Sequence, residues 1–155
     1  MSGMWLESIL AYAHFIAILT LVVFLSSEAA LCRVEWMNAA VVRRLVRLDL
    51  IYLVAAVAVL LTGLARTLWG MKGTSWYWHQ PLLHAKLGLF VVMGLMSIKP
   101  TRLFMRWRNT LDASGALPSD EEVRAARRWI MIEAHIMVVI PFLAALLARG
   151  IGTPT

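Results

Sequence analysis

The chain is dominated by four long apolar stretches, separated by two strongly basic segments and one short polar turn. The apolar stretches cover residues 5–27, 50–69, 81–98 and 128–148. A helix of about 20 apolar residues crosses the hydrocarbon core of a bilayer, because each residue adds about 1.5 Å. The pattern therefore predicts an all-α, integral-membrane four-helix bundle that forms a single domain, residues 1–155.

Local signals mark where the last two helices begin. Pro81 follows the aromatic run 76–78 and suits the first turn of a helix, where its missing N–H costs nothing. Ser119 and Glu122 have the spacing of a capping box, which predicts that the last helix starts near Asp120.

The basic residues predict how the bundle is oriented. The composition is 61% hydrophobic with a net charge of +6, and the loops 33–47 and 99–127, with Arg128, hold eleven of the fifteen Lys and Arg residues. Cytoplasmic loops carry the excess of these residues, so both termini are predicted on the outer, periplasmic side. We expect a multi-pass protein of a bacterial inner (cytoplasmic) membrane. Its basic loops should contact anionic lipid headgroups, not nucleic acid.

The segment after the third apolar stretch has two expected features. Residues 101–108 alternate basic and bulky apolar side chains, which is typical of a segment lying at the membrane surface. The Lys-Pro pair at 99–100 is expected to close the third helix. Residues 109–118 contain Gly115 and Pro118 and form the only plausible linker.

Ionisable side chains inside apolar stretches are costly and are therefore the first candidates for function. His14, Arg66, His84 and Lys86 fall in the predicted outer half of the membrane, and this outer group is the predicted functional site. Histidines on different helices of a bundle can ligate a b-type haem, while cations neutralise its propionates. His14 and His84 are the first candidates for iron ligands, with His135 as the alternative.

Simpler interpretations of the same residues stay open. Each histidine could do no more than hydrogen-bond a neighbouring helix, and Arg66 could extend to the interface. His84 and Lys86 diverge by about 160° around a helix, so they cannot both point at one spot. In the inner half, Glu28 is expected to pair with an arginine of the following loop. Asp49 could serve only the dipole of a helix that begins beside it.

Several segments together resemble a bacterial membrane family catalogued as domain of unknown function 2214, which has no assigned activity. The segments are RRLVRLDLIY (43–52), TGLAR (62–66), WYWHQPLLHAKLGL (76–89), SIKPTRLFMRWR (97–108) and AALLARGIG (144–152). KPTRLFMRW and ARGIG are the more specific pieces, and the resemblance covers nearly the whole chain.

A more distant resemblance concerns His14, Arg33, the RRL at 43–45 and the HAKL at 84–87. These positions are similar to those of HemJ-type protoporphyrinogen oxidases, and CopD-type membrane proteins share the four-span layout. The resemblance implies a b-type haem. The chain departs from the HemJ pattern at Leu31-Cys32, where a proline is expected before the arginine, and in its charged loop 101–122.

Two functional hypotheses follow. The first is a haem b protein of the membrane with a redox or electron-transfer role, which exchanges electrons with a quinone or a tetrapyrrole; as an enzyme it would be an oxidoreductase. The second is a cofactor-free structural or assembly subunit that acts through a membrane protein partner or as a homo-oligomer.

Overall fold

The computed structural model describes residues 2–69 and 74–151. These residues form five α-helices and a 3-10 turn, with no strand in the described part: α1 Ser2–Leu31, the 3-10 turn Val34–Trp36, α2 Ala39–Trp69, α3 Thr74–Trp78, α4 Pro81–Ser114 and α5 Asp120–Ala148. The four long helices α1, α2, α4 and α5 are each long and apolar enough to span a membrane. The predicted all-α, four-helix membrane fold is therefore confirmed.

The long helices are arranged as two pairs. α1 packs mainly along α2, and α4 packs mainly along α5. Contacts of α2 with α4 and of α1 with α5 join the two pairs into one bundle. We call the end of the bundle formed by residues 32–48 and 99–128 the basic end.

At the basic end, the long helices extend beyond the apolar stretches of the sequence. The four long helices contain 29 to 34 residues and so measure about 44–51 Å, against about 30 Å for the hydrocarbon core. α2 begins at Ala39 and α4 continues to Ser114, so much of both predicted loops is helical. Asp49 lies about three turns inside α2, not at its start.

The continuation of α4 beyond Pro100 is held by burial against α5. The buried side chains are Phe104, Trp107 and Leu111 on α4 and Val123, Ala126 and Ile130 on α5. A proline inside a helix costs about 3 kcal/mol, whereas each large apolar side chain that is buried contributes about 1.5–3 kcal/mol. The expectation that the Lys-Pro pair closes this helix is therefore wrong. Residues 101–108 belong to a helical hairpin and bury part of their apolar surface in protein.

The turn between α4 and α5 agrees in part with the structure that its sequence predicts. Ser119 Oγ accepts a hydrogen bond from the Glu122 backbone N at 3.2 Å, so α5 starts at the predicted position. The Glu122 carboxylate pairs with Arg106 at 2.9 Å. At the other side of the turn, Gly115 has a φ of 72° and ends α4 in the left-handed conformation that glycine adopts without strain. The linker is thus shorter than the predicted 109–118.

Two further expectations concern the turn between α2 and α4. Pro81 is the first residue of α4, as predicted, and Gln80 precedes it as the N-cap. The short polar turn between the second and third apolar stretches, residues 70–75, lies mostly outside the described residues. Gly88 and Gly94 of α4 lie on exposed faces, and an added Cβ at either position would meet no atom of a neighbouring helix within 4 Å.

Candidate functional site

A cavity of about 260 Å³ lies between α1, α2, α4 and α5, towards the end of the bundle opposite the basic end. Its walls are almost entirely apolar, and the polar side chains that line it are His14, Thr67 and Lys86. Phe15 of α1 and Pro141 of α5 also line it and are exposed. The cavity therefore opens sideways between α1 and α5, towards the space that lipid would occupy. We call it the histidine cavity.

The hydrogen bonds around His14 indicate which of its ring nitrogens carries the proton. His14 Nδ1 lies 2.7 Å from Thr62 Oγ1, and this hydroxyl is 2.6 Å from the Ala58 carbonyl oxygen, to which it can donate its single proton. A hydroxyl that donates there can only accept from His14, so this arrangement favours the tautomer protonated at Nδ1. In that tautomer the lone pair is on Nε2, where it can bind a metal ion or accept a hydrogen bond.

Gly63 makes room for this ring. A Cβ at Gly63 would lie 3.2 Å from His14 Cε1, closer than ordinary van der Waals contact. The small residue therefore allows the imidazole of α1 to lie directly against the backbone of α2. A small residue in a membrane helix permits close approach, and at Gly63 the approaching group is the His14 side chain.

Two cations lie close enough to His14 to act on it electrostatically, Arg66 of α2 and Lys86 of α4. Arg66 forms an ion pair with Glu7 at 3.3 Å. Lys86 is half-buried and has no ion pair or hydrogen bond with the described residues. Tyr77 of α3 lies near the ion pair, and burial, followed by the charge of Glu7, raises the pKa of its phenol. Lys86 is thus a cation available to an anionic ligand.

The other histidines lie outside the histidine cavity. His84 is exposed and its Nε2 contacts the Trp78 carbonyl oxygen at 2.8 Å. His79, directly after α3, and His135 of α5 are exposed, and each bonds the carbonyl oxygen four residues earlier in the chain. The structure brings His14, Arg66 and Lys86 together but not His14 and His84. His84 and Lys86 are two residues apart on α4 and therefore point in different directions, and only Lys86 faces the interior of the bundle.

A second polar group lies nearer the basic end, where α1, α2 and α5 meet. Glu28, Asp49 and Glu133 are 1%, 4% and 1% exposed, and Tyr52 is 1% exposed. The carboxyl groups of Glu28 and Asp49 lie beside each other, and the Tyr52 hydroxyl donates to Glu133 Oε2 at 3.1 Å. We call these three acids and Tyr52 the carboxylate cluster.

The carboxylate cluster corrects an expectation from sequence. Glu28 was expected to pair with a loop arginine, yet no described arginine forms a salt bridge with Glu28, Asp49 or Glu133. Arg33 and Arg47 are exposed instead. Arg127 reaches this region but donates to the main-chain carbonyls of Ala29 and Cys32.

Sequence reasoning also missed two residues of the histidine cavity region, Thr62 and Glu7. The sequence contained a signal for both residues in their spacing from known candidates. Thr62 and Arg66 are four residues apart, and Glu7 and His14 are seven apart, so each pair shares a helix face. Residue spacing does not determine the rotation of α1 relative to α2, and this rotation brings the two faces together.

Replacing Thr62 by valine should change the tautomer of His14. Valine keeps the shape of threonine but removes the acceptor of Nδ1–H, and a neutral hydrogen bond is worth about 1 kcal/mol, so the tautomer ratio should shift by about fivefold. Nitrogen NMR of histidine-labelled protein in detergent measures this ratio. Thr67→Val is the matched control, because Thr67 lines the cavity but bonds Leu64. A wild-type ring protonated at Nε2 would contradict the assignment.

Comparison with known proteins adds the family. The chain matches the family model described as a predicted membrane protein, DUF2214, over residues 6–152. The match covers nearly the whole chain, so the protein belongs to the DUF2214 family, as its motifs indicated. No curated protein and no solved structure matches it. The more distant resemblance to HemJ-type and CopD-type proteins stays a prediction.

Proposed function

We propose that this member of the DUF2214 family is a membrane-embedded b-type haem protein with a redox or electron-transfer role. The haem would occupy the histidine cavity, with His14 as the protein ligand of the iron. The observation that carries this proposal is an imidazole, His14, that lines an apolar cavity while its Nδ1 is hydrogen-bonded to Thr62. Metal-ligating histidines commonly donate their other ring N–H to an oxygen, as His14 donates to Thr62.

The residues present fit one histidine ligand, not two. His84 and His135 lie outside the cavity, so neither is retained as a ligand in this proposal. The cavity volume of about 260 Å³ is slightly below the roughly 300–1,000 Å³ of most cofactor sites. A macrocycle would therefore fill it and extend through the opening between α1 and α5.

The charged residues beside the cavity would hold the propionates. Lys86 has no partner among the described residues, and Arg66 shares its charge with Glu7. Charge-assisted hydrogen bonds from these cations would orient the group relative to His14. A bound haem supplies one-electron chemistry, while the apolar walls exclude water. The lateral opening suits an electron partner that is dissolved in the lipid, such as a quinone or a tetrapyrrole.

The test is the colour of protein expressed with a supply of haem and purified in detergent. Wild type should show a Soret band that shifts on reduction with dithionite, and a pyridine haemochrome. His14→Ala should lose most of the bound haem, whereas His84→Ala and His135→Ala should keep it. Colourless wild-type protein at full yield would overturn the proposal and leave the cofactor-free structural or assembly subunit as the better account. Loss of haem in His84→Ala alone would contradict the choice of ligand.

The proposed location is the inner membrane of a bacterium, with both termini outside. At the basic end, a groove of about 270 Å³ is lined by Lys99, Arg102 and Arg106 together with Ile98 and Leu103. Cations beside apolar side chains suit an anionic headgroup and the first part of its acyl chain. This groove supports lipid contact on the cytoplasmic side.

Cysteine labelling tests the orientation. Ser2→Cys and Ser114→Cys lie at opposite ends of the bundle, so an impermeant maleimide added to intact cells should label only Ser2→Cys. The native cysteine should not interfere, because Cys32 is fully buried and burial raises the pKa of its thiol to about 12. Labelling of both variants from one side would refute the orientation.

A further inference from the structure

We propose that the carboxylate cluster, Glu28, Asp49 and Glu133 with Tyr52, is a site that binds protons reversibly. It is separate from the histidine cavity and does not depend on haem. None of its four residues lines that cavity. Along α1, the cavity wall ends at Leu21 and Val22. Glu28 lies two turns beyond Leu21, and the fully buried Leu25 lies between them.

Three acids from three helices meet away from water. Glu28 comes from α1, Asp49 from α2 and Glu133 from α5, and none is more than 4% exposed. Glu28 and Asp49 lie beside each other, and both lie close enough to Glu133 to interact electrostatically. Two adjacent carboxyl groups can hydrogen-bond to each other only when one of them carries a proton, and that proton also removes the repulsion between two buried like charges.

No cation among the described residues compensates the charge of these acids. The titratable groups that face one another in the cluster are the three acids and Tyr52, with the Cys32 thiol near Glu28 and the hydroxyl-bearing Thr101 of α4 next to Asp49. Arg127 uses its guanidinium on the carbonyls of Ala29 and Cys32. Buried carboxylates without a cation or enough hydrogen bonds take up protons instead of remaining charged.

Two buried acid oxygens of the cluster lack a hydrogen-bond partner among the described residues. Glu28 Oε1 and Glu133 Oε1 have no hydrogen bond in the described structure, and each belongs to a carboxyl group beside another acid of the cluster. A protonated acid can donate as well as accept, so added protons offer these oxygens the bonds they lack. No group of three or more metal-binding side chains with suitable geometry occurs among the described residues, which favours protons over a metal ion.

The chemistry is proton transfer alone. A hydronium ion at the basic end gives a proton to a carboxylate oxygen, an O–H bond forms, and a water molecule remains; no electron moves. Glu28 lies one turn before the end of α1, so the cluster is close to the water at the basic end. Buried acids in membrane helices that face the bundle interior are the usual components of proton relays.

Infrared spectroscopy of the full-length protein in detergent tests this inference. At neutral pH, wild type should show the carbonyl absorption of protonated carboxylic acids, shifted in deuterated buffer. The absorption should decrease reversibly as the pH is raised while the protein stays folded. Glu28→Gln, Asp49→Asn and Glu133→Gln should each remove part of it, because an amide mimics the neutral acid. Glu35→Gln is the control, since Glu35 is exposed.

Each other outcome counts against the inference. A wild-type spectrum with only carboxylate absorptions at neutral pH would overturn it without any variant. An absorption that persists unchanged into alkaline solution would mark static buried acids instead of a reversible site. Loss of the absorption on adding sodium at constant pH would show that the cluster prefers a metal ion. Because the measurement needs no haem, its failure is distinguishable from failure of the proposed function.

Discussion

Lys86→Met should weaken haem binding by about 10- to 150-fold, because a hydrogen bond to a charged group is worth about 1.5–3 kcal/mol. Methionine keeps the length and flexibility of the lysine stem and packs well in apolar surroundings, so the cavity wall should survive the change. The effect should be large at this position because Lys86 is half-buried among apolar side chains and has no partner among the described residues. Absorbance titration of haem-free protein with haem measures the affinity.

Lys99→Met provides the matched control for that experiment. Lys99 is on the same helix but exposed at the basic end, so its replacement should leave haem affinity unchanged. Lys86→Glu should abolish binding, since it adds a negative charge beside the proposed propionates. Equal affinities for wild type and Lys86→Met would mean that Lys86 does not contact the ligand, even if His14 does.

Phe104→Ala should destabilise the folded protein by about 3–5 kcal/mol, the usual cost of deleting a fully buried aromatic side chain. Phe104 is 0% exposed and its ring centroid lies 5.4 Å from that of Trp107. The loss should be concentrated in the hairpin of α4 and α5 at the basic end, where Phe104 belongs to the buried core. Reversible unfolding of the purified protein, monitored by circular dichroism, measures the free energy.

Met105→Ala is the control for the hairpin, because Met105 is the next residue on α4 and is 44% exposed. Its replacement should change the free energy of unfolding by less than about 1 kcal/mol. The opposite ranking, with Met105→Ala the more damaging, would indicate that residues 101–108 lie at the lipid surface as their alternating pattern suggested.

The number and type of the spanning elements could be predicted from sequence because the bilayer imposes them. A lipid-exposed backbone must satisfy its own hydrogen bonds, so long apolar stretches become helices whatever surrounds them. The end of α4 could not be predicted in the same way. Pro100 is a local signal for termination, whereas the burial of Phe104 and Trp107 against α5 is a long-range contact that outweighs it.

The candidate site, like the fold, could be predicted from the sequence only in part. Ionisable residues in apolar stretches identified His14, Arg66 and Lys86 as candidates, and their helical spacing already indicated that His84 and Lys86 face different ways. The spacing did not determine which of the two faces the bundle. That depends on the rotation of α4 against α1 and α2, which is set by the sum of many side-chain contacts.

The sequence by itself determined the fold class, the helix starts at Pro81 and Asp120, and the candidates His14, Arg66 and Lys86, because these depend on local chemistry and on the bilayer. Only the tertiary structure decided which of those residues meet. It paired Arg66 with Glu7 and His14 with Thr62, and it left Glu28 beside Asp49 instead of an arginine. The physical reason is that a polar side chain inside a membrane bundle interacts with the groups that helix packing places within hydrogen-bond distance.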